Sequence, residues 1–151
     1  LAFALGMVYY RFYNLTLTSS SALLVLHKMT LDLCSNSNES AGCNQKEAAA
    51  MAIQTVTRII IDIARKFLAD LAFIDLLALP LPYTFCLYQA ALLHIEFAGD
   101  EFLSPRWSSG MESLQGTLRH FANRWNIGSM YDDTVSKKEL TNSIRPVSFA
   151  D

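Results

Sequence analysis

The sequence predicts an all-α protein, a multi-helix bundle, on three observations. Between Ser104 and Gly128 the apolar residues Trp107, Met111, Leu114, Leu118, Phe121 and Trp125 follow one another at alternating gaps of four and three, which is one seam on one helix. Nowhere does a two-residue alternation bounded by turn residues mark a strand, and no segment repeats. Hydrophobic residues make up 52% of the 151 and charged residues 17%, enough for one domain with a substantial core and too apolar for a disordered chain. Burial of six side chains does not by itself offset the ordering of the whole segment, so other helices must cover the seam.

Taken in order, Leu1 to Cys34 reads as a first helix, with Ala4, Val8 and Phe12 early and Leu23, Leu24, Leu26, His27 and Leu31 later. The polar interlude from Thr16 to Ser21 is expected to kink or split it, because serine and threonine compete with the helix for backbone hydrogen bonds. Ser35 to Gly42 is a loop, after which Asn44 and Glu47 form a capping-box-like start for a second helix. Its buried face runs through Ala49, Ile53, Val56, Ile60, Ile63 and Phe67, with Asp62 and Lys66 spaced as a surface ion pair. From Asp70 to Leu79 no single apolar face persists, and Leu79-Pro80-Leu81-Pro82 ends any helix there. A third helix spans about Tyr83 to Phe97 with Leu87, Ala91 and His94 or Ile95 on one side, and Ala98-Gly99-Asp100-Glu101 turns into the next.

The seam helix is punctuated at both ends. Ser104 is placed to cap it, Pro105 takes its first position, and Gly128 is expected just past its end. Its interior glycines, Gly110 and Gly116, each cost about 1 kcal/mol relative to alanine. Either a neighbouring helix packs closely against them, or the helix is marginal and leans on its tryptophans. Residues 129–151 read as a polar C-terminal tail, in which Ser136, Glu139, Leu140 and Ile144 have the makings of one short helix before Pro146.

Charge and cysteine content narrow the function. A net charge of −2 with scattered Lys and Arg offers no basic stripe to phosphates. The run from Leu76 to Ile95 carries no Asp, Glu, Lys or Arg, but Pro80 and Pro82 interrupt it, and Asp70 and Asp75 precede it, so no membrane span is read. Cys34, Cys43 and Cys86 are odd in number and lack CxxC spacing, which suits reduced thiols in an intracellular helical core, although Cys34 and Cys43 would close a small loop in a secreted chain.

Catalytic templates find no footing. His27, His94 and His120 fall on three helices without a second ligand at i+3 or i+4, so a metal site is not expected and satisfied histidines are. Tyr131-Asp132-Asp133 has the paired acids that hold magnesium in some helical enzymes but no third carboxylate at the next turn, and reads as an exposed acidic turn. No Gly-rich phosphate loop, GxSxG or Cys-His motif is present. No residue is therefore assigned a catalytic, cofactor-binding or metal-binding role.

Leu79-Pro80-Leu81-Pro82-Tyr83, then Leu87-Tyr88-Gln89-Ala90-Ala91, then Leu118 through Arg124-Trp125 resemble in order the closing part of the regulatory domain of fungal zinc-cluster transcription factors. Upstream, Leu24-Val25-Leu26-His27-Lys28 resembles that family's helix ending in Leu-His-Arg-Pro, with Met29 in the proline's place. Cys43 followed by Ala48-Ala49 resembles its Cys-x-x-Ala-Ala helix start. The resemblance covers residues 1–128. It implies the C-terminal part of an all-helical regulatory body, at work in the nucleus, that restrains or releases an RNA polymerase II activator. Such a body acts through the rest of the parent regulator, coregulator proteins or a small apolar metabolite, without touching DNA itself.

The family's DNA-reading module is a six-cysteine cluster with two zinc ions. Three cysteines cannot build it, so zinc is expected only in a separate N-terminal domain and no cofactor in this chain. Within the body Trp107, Phe121 and Trp125 are expected to pack against Tyr88, Leu92 and Ile95. A free-standing helical module that binds a protein or small molecule is the alternative, and an isoprenoid-type enzyme using Asp132 and Asp133 is a distant third.

Overall fold

Five helices, and no strand, are found among the described residues: α1 (Ala2–Asn36), α2 (Gly42–Ala69), α3 (Pro82–Glu96), α4 (Pro105–Ala122) and α5 (Asn126–Ile144). The structure, a computed structural model, describes the backbone over residues 2–36, 42–71, 82–98, 104–123 and 126–144, and side chains over 15–35, 44–71, 82–98, 104–123 and 126–143. The expected double-proline break at Leu79-Pro80-Leu81, the Ala98–Glu101 turn beyond Ala98, and Arg124 and Trp125 lie outside these residues. Among the described residues no helix is long and apolar enough to cross a membrane.

Cross-helix contacts fix the directions. Leu17 meets Cys86 and Lys28 meets Glu96, so α1 and α3 run parallel. Ala64 meets Thr117 and Phe67 meets Phe121, which aligns α2 with α4. Tyr88 stacks on Tyr131 while Asn142 reaches the Ile95 carbonyl, aligning α3 with α5. The chain therefore goes up, down, up, down, up, with α3 packed against all four other helices.

That central position explains why α3 lacks a stripe. The sequence suggests one apolar side, and the buried residues Tyr83, Thr84, Cys86, Leu87, Ala90, Ala91, Leu93 and Ile95 take up more than half of its circumference, leaving Phe85 and Glu96 exposed on the rest. By contrast α2 buries the expected face, Ala49, Ile53, Val56, Ile60, Ile63 and Phe67, adding Ile61 and Ala64. It opens at Gly42, so Asn44 stands inside the first turn and does not cap it, and Asp62 pairs with Arg65 at 3.1 Å, not with Lys66. In α1 the Thr16–Ser21 interlude does not split the helix; Ser20 is buried on the core face between Leu17 and Leu24.

The seam of α4 is borne out over its described length. Trp107, Met111, Leu114, Leu118 and Phe121 are all buried, and the Ser104 side chain accepts the Trp107 backbone N–H at 3.2 Å with Pro105 at the first position. Its end is a correction. The helix stops at Ala122, with Asn123 as its cap, and α5 begins at Asn126, so Gly128 is no C-terminal punctuation but lies in the next helix. The polar stretch from 129 is, up to Ile144, the body of that 19-residue helix, which starts ten residues before Ser136 and buries Val135 completely. Its polar composition hid it because only one narrow face meets the bundle, where Arg119 binds Asp132 at 3.0 Å and Gln115 binds Glu139 at 2.9 Å across an antiparallel α4–α5 hairpin.

At the other end of α3, Lys28 Nζ donates to Glu96 Oε1 at 2.6 Å and so ties α1 to the last turn of α3. The bond to Glu96 raises the Lys28 pKa above its ordinary 10.5, against a smaller opposing effect of burial. Because the folded-state value is the higher one, this contribution is fully present below about pH 10.5 and is lost as pH rises through the raised value. The pair is about a third exposed, so Glu96→Gln is expected to cost only about 0.5 kcal/mol in urea unfolding at pH 7. The gap from the parent protein should close at strongly alkaline pH.

Candidate functional site

The three histidines stay apart, on α1, α3 and α4, as the sequence suggests. Among the described residues no group of three or more His, Cys, Asp or Glu is placed to hold a metal ion. His94 has a specific structural task. Its ring stacks on that of Trp107, centroids 5.3 Å apart and planes within 10°. The Trp107 indole N–H donates to the His94 carbonyl at 3.1 Å, and His94 Nε2–H reaches back to the Trp107 carbonyl at 3.2 Å.

The last carbonyls of a helix have no partner within it, and here neighbours supply them. Phe97 N–H donates to Leu93, Trp107 Nε1–H to His94, and both Ala98 N–H and Asn142 Nδ2–H to Ile95. Trp107, Phe121 and Ile95 share one core with Tyr88 and Leu92 packed against it, and the ring stacks within it are Phe121 on Phe67 of α2 and Tyr88 on Tyr131 of α5. Neither of those partners shares a helix with the seam, which is why seam spacing alone could not name them.

Gly110 shows the close approach the sequence left open. A β-carbon there would lie 3.0 Å from His94 Nε2 and 3.2 Å from Ile61 Cδ1, whereas at Gly116 it would meet Leu68 at an ordinary 3.4 Å. The neighbours are side chains, and the missing methyl at Gly110 is what lets the His94 ring lie flat against Trp107.

Asp132 and Asp133 are not in a turn. They are consecutive on α5, where adjacent positions point in different directions, so Asp132 turns inward to Arg119 while Asp133 is exposed. Two carboxylates that diverge do not form a shared cation site. Cys34 and Cys86 are both buried, and burial pushes the Cys86 thiol pKa up, a protonated and inert state; the Cys43 side chain lies outside the described residues.

An apolar void of about 20 Å³ lies where α1 to α4 meet, lined among others by Leu17, Phe67, Tyr83, Leu87 and Phe121. Small-molecule sites take roughly 300–1,000 Å³, so this void is a packing defect and not a metabolite pocket. No family model, curated protein or solved structure matches the chain.

What the chain does present is a surface. Along the side of α1 opposite Leu17 and Leu24, Leu15 is 73% exposed, Leu26 58%, Met29 58% and Leu33 70%, with Leu23 and Val25 partly exposed beside them. Single exposed leucines are ordinary, but a row of them on one helix makes a contiguous apolar patch. The sequence alone did not separate this face from the core face, because both carry apolar residues and only the fold shows which of them meets the bundle.

Proposed function

We propose that the chain is a non-catalytic helical regulatory body, the part of a fungal zinc-cluster transcription factor that governs activity in the nucleus through protein contacts while a separate domain reads DNA. The observation that carries this reading is the meeting of the resembling segments: Tyr83 of the double-proline motif and Leu87 of the next, both on α3, line the same void as Phe121 of the last. Segments that resemble one family in order also form one core, as parts of a single regulatory body would. The exposed face of α1 supplies a place for the parent protein or a coregulator to act.

Fused behind an unrelated DNA-binding domain, the chain is expected to change output from that domain's reporter several-fold, while the isolated chain gives no sequence-specific gel shift. Tight, sequence-specific DNA binding by the isolated chain, or a fusion indistinguishable from the DNA-binding domain alone, would overturn the reading. The same α1 face also favours a second reading, a free-standing protein-binding module. A six-cysteine cluster encoded in frame upstream of Leu1 decides for the first.

A further inference from the structure

Helix α5 lies on the bundle by a mostly polar stripe. Gly128, Asp132, Val135, Glu139 and Asn142 follow one another at gaps of 4, 3, 4 and 3, the spacing of one helix laid along others. Each of the five is engaged: Gly128 lies against the last turn of α4, Asp132 pairs with Arg119, Val135 is completely buried, Glu139 accepts from Gln115, and Asn142 donates to the Ile95 carbonyl. Beside the stripe Tyr131 stacks on Tyr88 of α3, so the helix sits between α3 and α4. A polar residue in such a seam fixes register at a cost in stability.

The hold is correspondingly slight. Among the described residues, Val135 is the single member of the buried apolar core that comes from α5, while Met130 and Leu140 face solvent. The Arg119 side of the ion pair is 60% exposed, where such pairs contribute little. An isolated helix of 19 residues, rich in Asn, Asp, Ser and Thr, is marginal in water, so α5 is ordered by docking and has little to keep it helical once lifted. The rest of the core, from Leu17 through Phe121, comes from outside α5. Units held by few buried contacts open below the free energy of global unfolding.

We propose that α5 is a releasable strap over a helix-binding groove between α3 and α4, and that this groove takes an amphipathic helix of a partner protein. The partner's chemistry is read from α5, which already fits the site. It presents a small residue where Gly128 meets the Ala122 backbone, an aromatic ring for Tyr88, a carboxylate for Arg119 one residue later, and a β-branched side chain three residues beyond, at the place of Val135. Helix-in-groove recognition uses anchors at such spacing. With α5 seated the groove is filled, and a partner helix selects the open form.

The strap and the transcriptional reading stand or fall separately, because the test involves no reporter. Native-state hydrogen exchange of the full chain should show α5 amides exchanging through openings at least about a hundred times more frequent than those that expose α2 and α4. Val135→Asp in the full chain should leave α1 to α4 folded, losing no more circular-dichroism signal than α5 carries. A labelled peptide of residues 126–144 should bind that variant saturably, and bind the parent chain more weakly by the ratio of closed to open forms that exchange measures. Asp132→Lys in the peptide should weaken binding about fivefold or more, and Asp133→Lys by less than about twofold. Exchange of α5 only with the whole molecule, unfolding of α1 to α4 in Val135→Asp, no binding of the peptide to that variant, equal binding to the parent chain, or equal effects at positions 132 and 133 would each overturn it.

Discussion

Gly128→Ala is expected to destabilise the protein by about 2–4 kcal/mol, read as a lower urea midpoint at unchanged slope. Helix propensity alone gives the opposite sign, because alanine in a helix is favoured over glycine by about 1 kcal/mol. The close packing of α4 and α5 decides. A β-carbon on residue 128 would lie 2.8 Å from the backbone nitrogen of Ala122, 2.9 Å from its Cα and 3.1 Å from the carbonyl carbon of Phe121. These are backbone atoms of the last turn of α4, which no rotamer change removes. Relief requires the first turn of α5 to lift away, loosening the burial of Val135, the Tyr88–Tyr131 stack and the Arg119–Asp132 pair. Gly116→Ala provides the contrast: with ordinary contact to the end of the Leu68 side chain, it should be neutral or stabilising by up to about 1 kcal/mol.

Gly128 also shows where the sequence was legible and where it was not. A glycine after a run of helical spacing reads as a C-terminal stop, and the same residue type serves equally where two backbones touch; only the path of the chain distinguishes the two. The true boundary, Asn123 to Asn126, contains neither glycine nor proline, so nothing local announced it. One-sided helices could be read well. The face of α2 and the seam of α4 each bury one stripe, and spacing reports that directly.

Helix α3 could not be read the same way, because its buried face is wide and its outer side, with Phe85, Tyr88 and Leu92, is apolar as well, which blurs periodicity. Helix α1 misled differently. Its core face and its outer face are both apolar, and two superposed stripes look like none until the structure shows which one the bundle takes. The outer face of α1 therefore needed coordinates to be seen.

Trp107→Ala is expected to be the most damaging single truncation, at about 3–5 kcal/mol. Against a total stability of about 5–15 kcal/mol for a domain of this kind, that leaves the protein close to its unfolding threshold at 37 °C. Cavity formation is one part of the loss. The other is the His94 carbonyl at the end of α3, which loses its indole donor. Trp107→Phe largely separates the two, keeping an aromatic ring against His94 and removing the N–H together with only part of the indole's bulk. It should cost about 1–2 kcal/mol.

A double-mutant cycle with His94→Ala then measures the stack and the reciprocal hydrogen bonds together, with a coupling expected at about 1 kcal/mol or more. Gly110→Ala reads the same contact from below. In the parent protein its methyl presses on a ring fixed from both sides and should destabilise, whereas beside His94→Ala only the flexible end of Ile61, 3.2 Å away, has to give, and the methyl should stabilise the helix by up to about 1 kcal/mol. A Trp107 that acted only as bulk would show additive effects in both cycles. Reversal of sign at Gly110 is the outcome that requires the histidine and tryptophan to act as one unit joining α3 to α4.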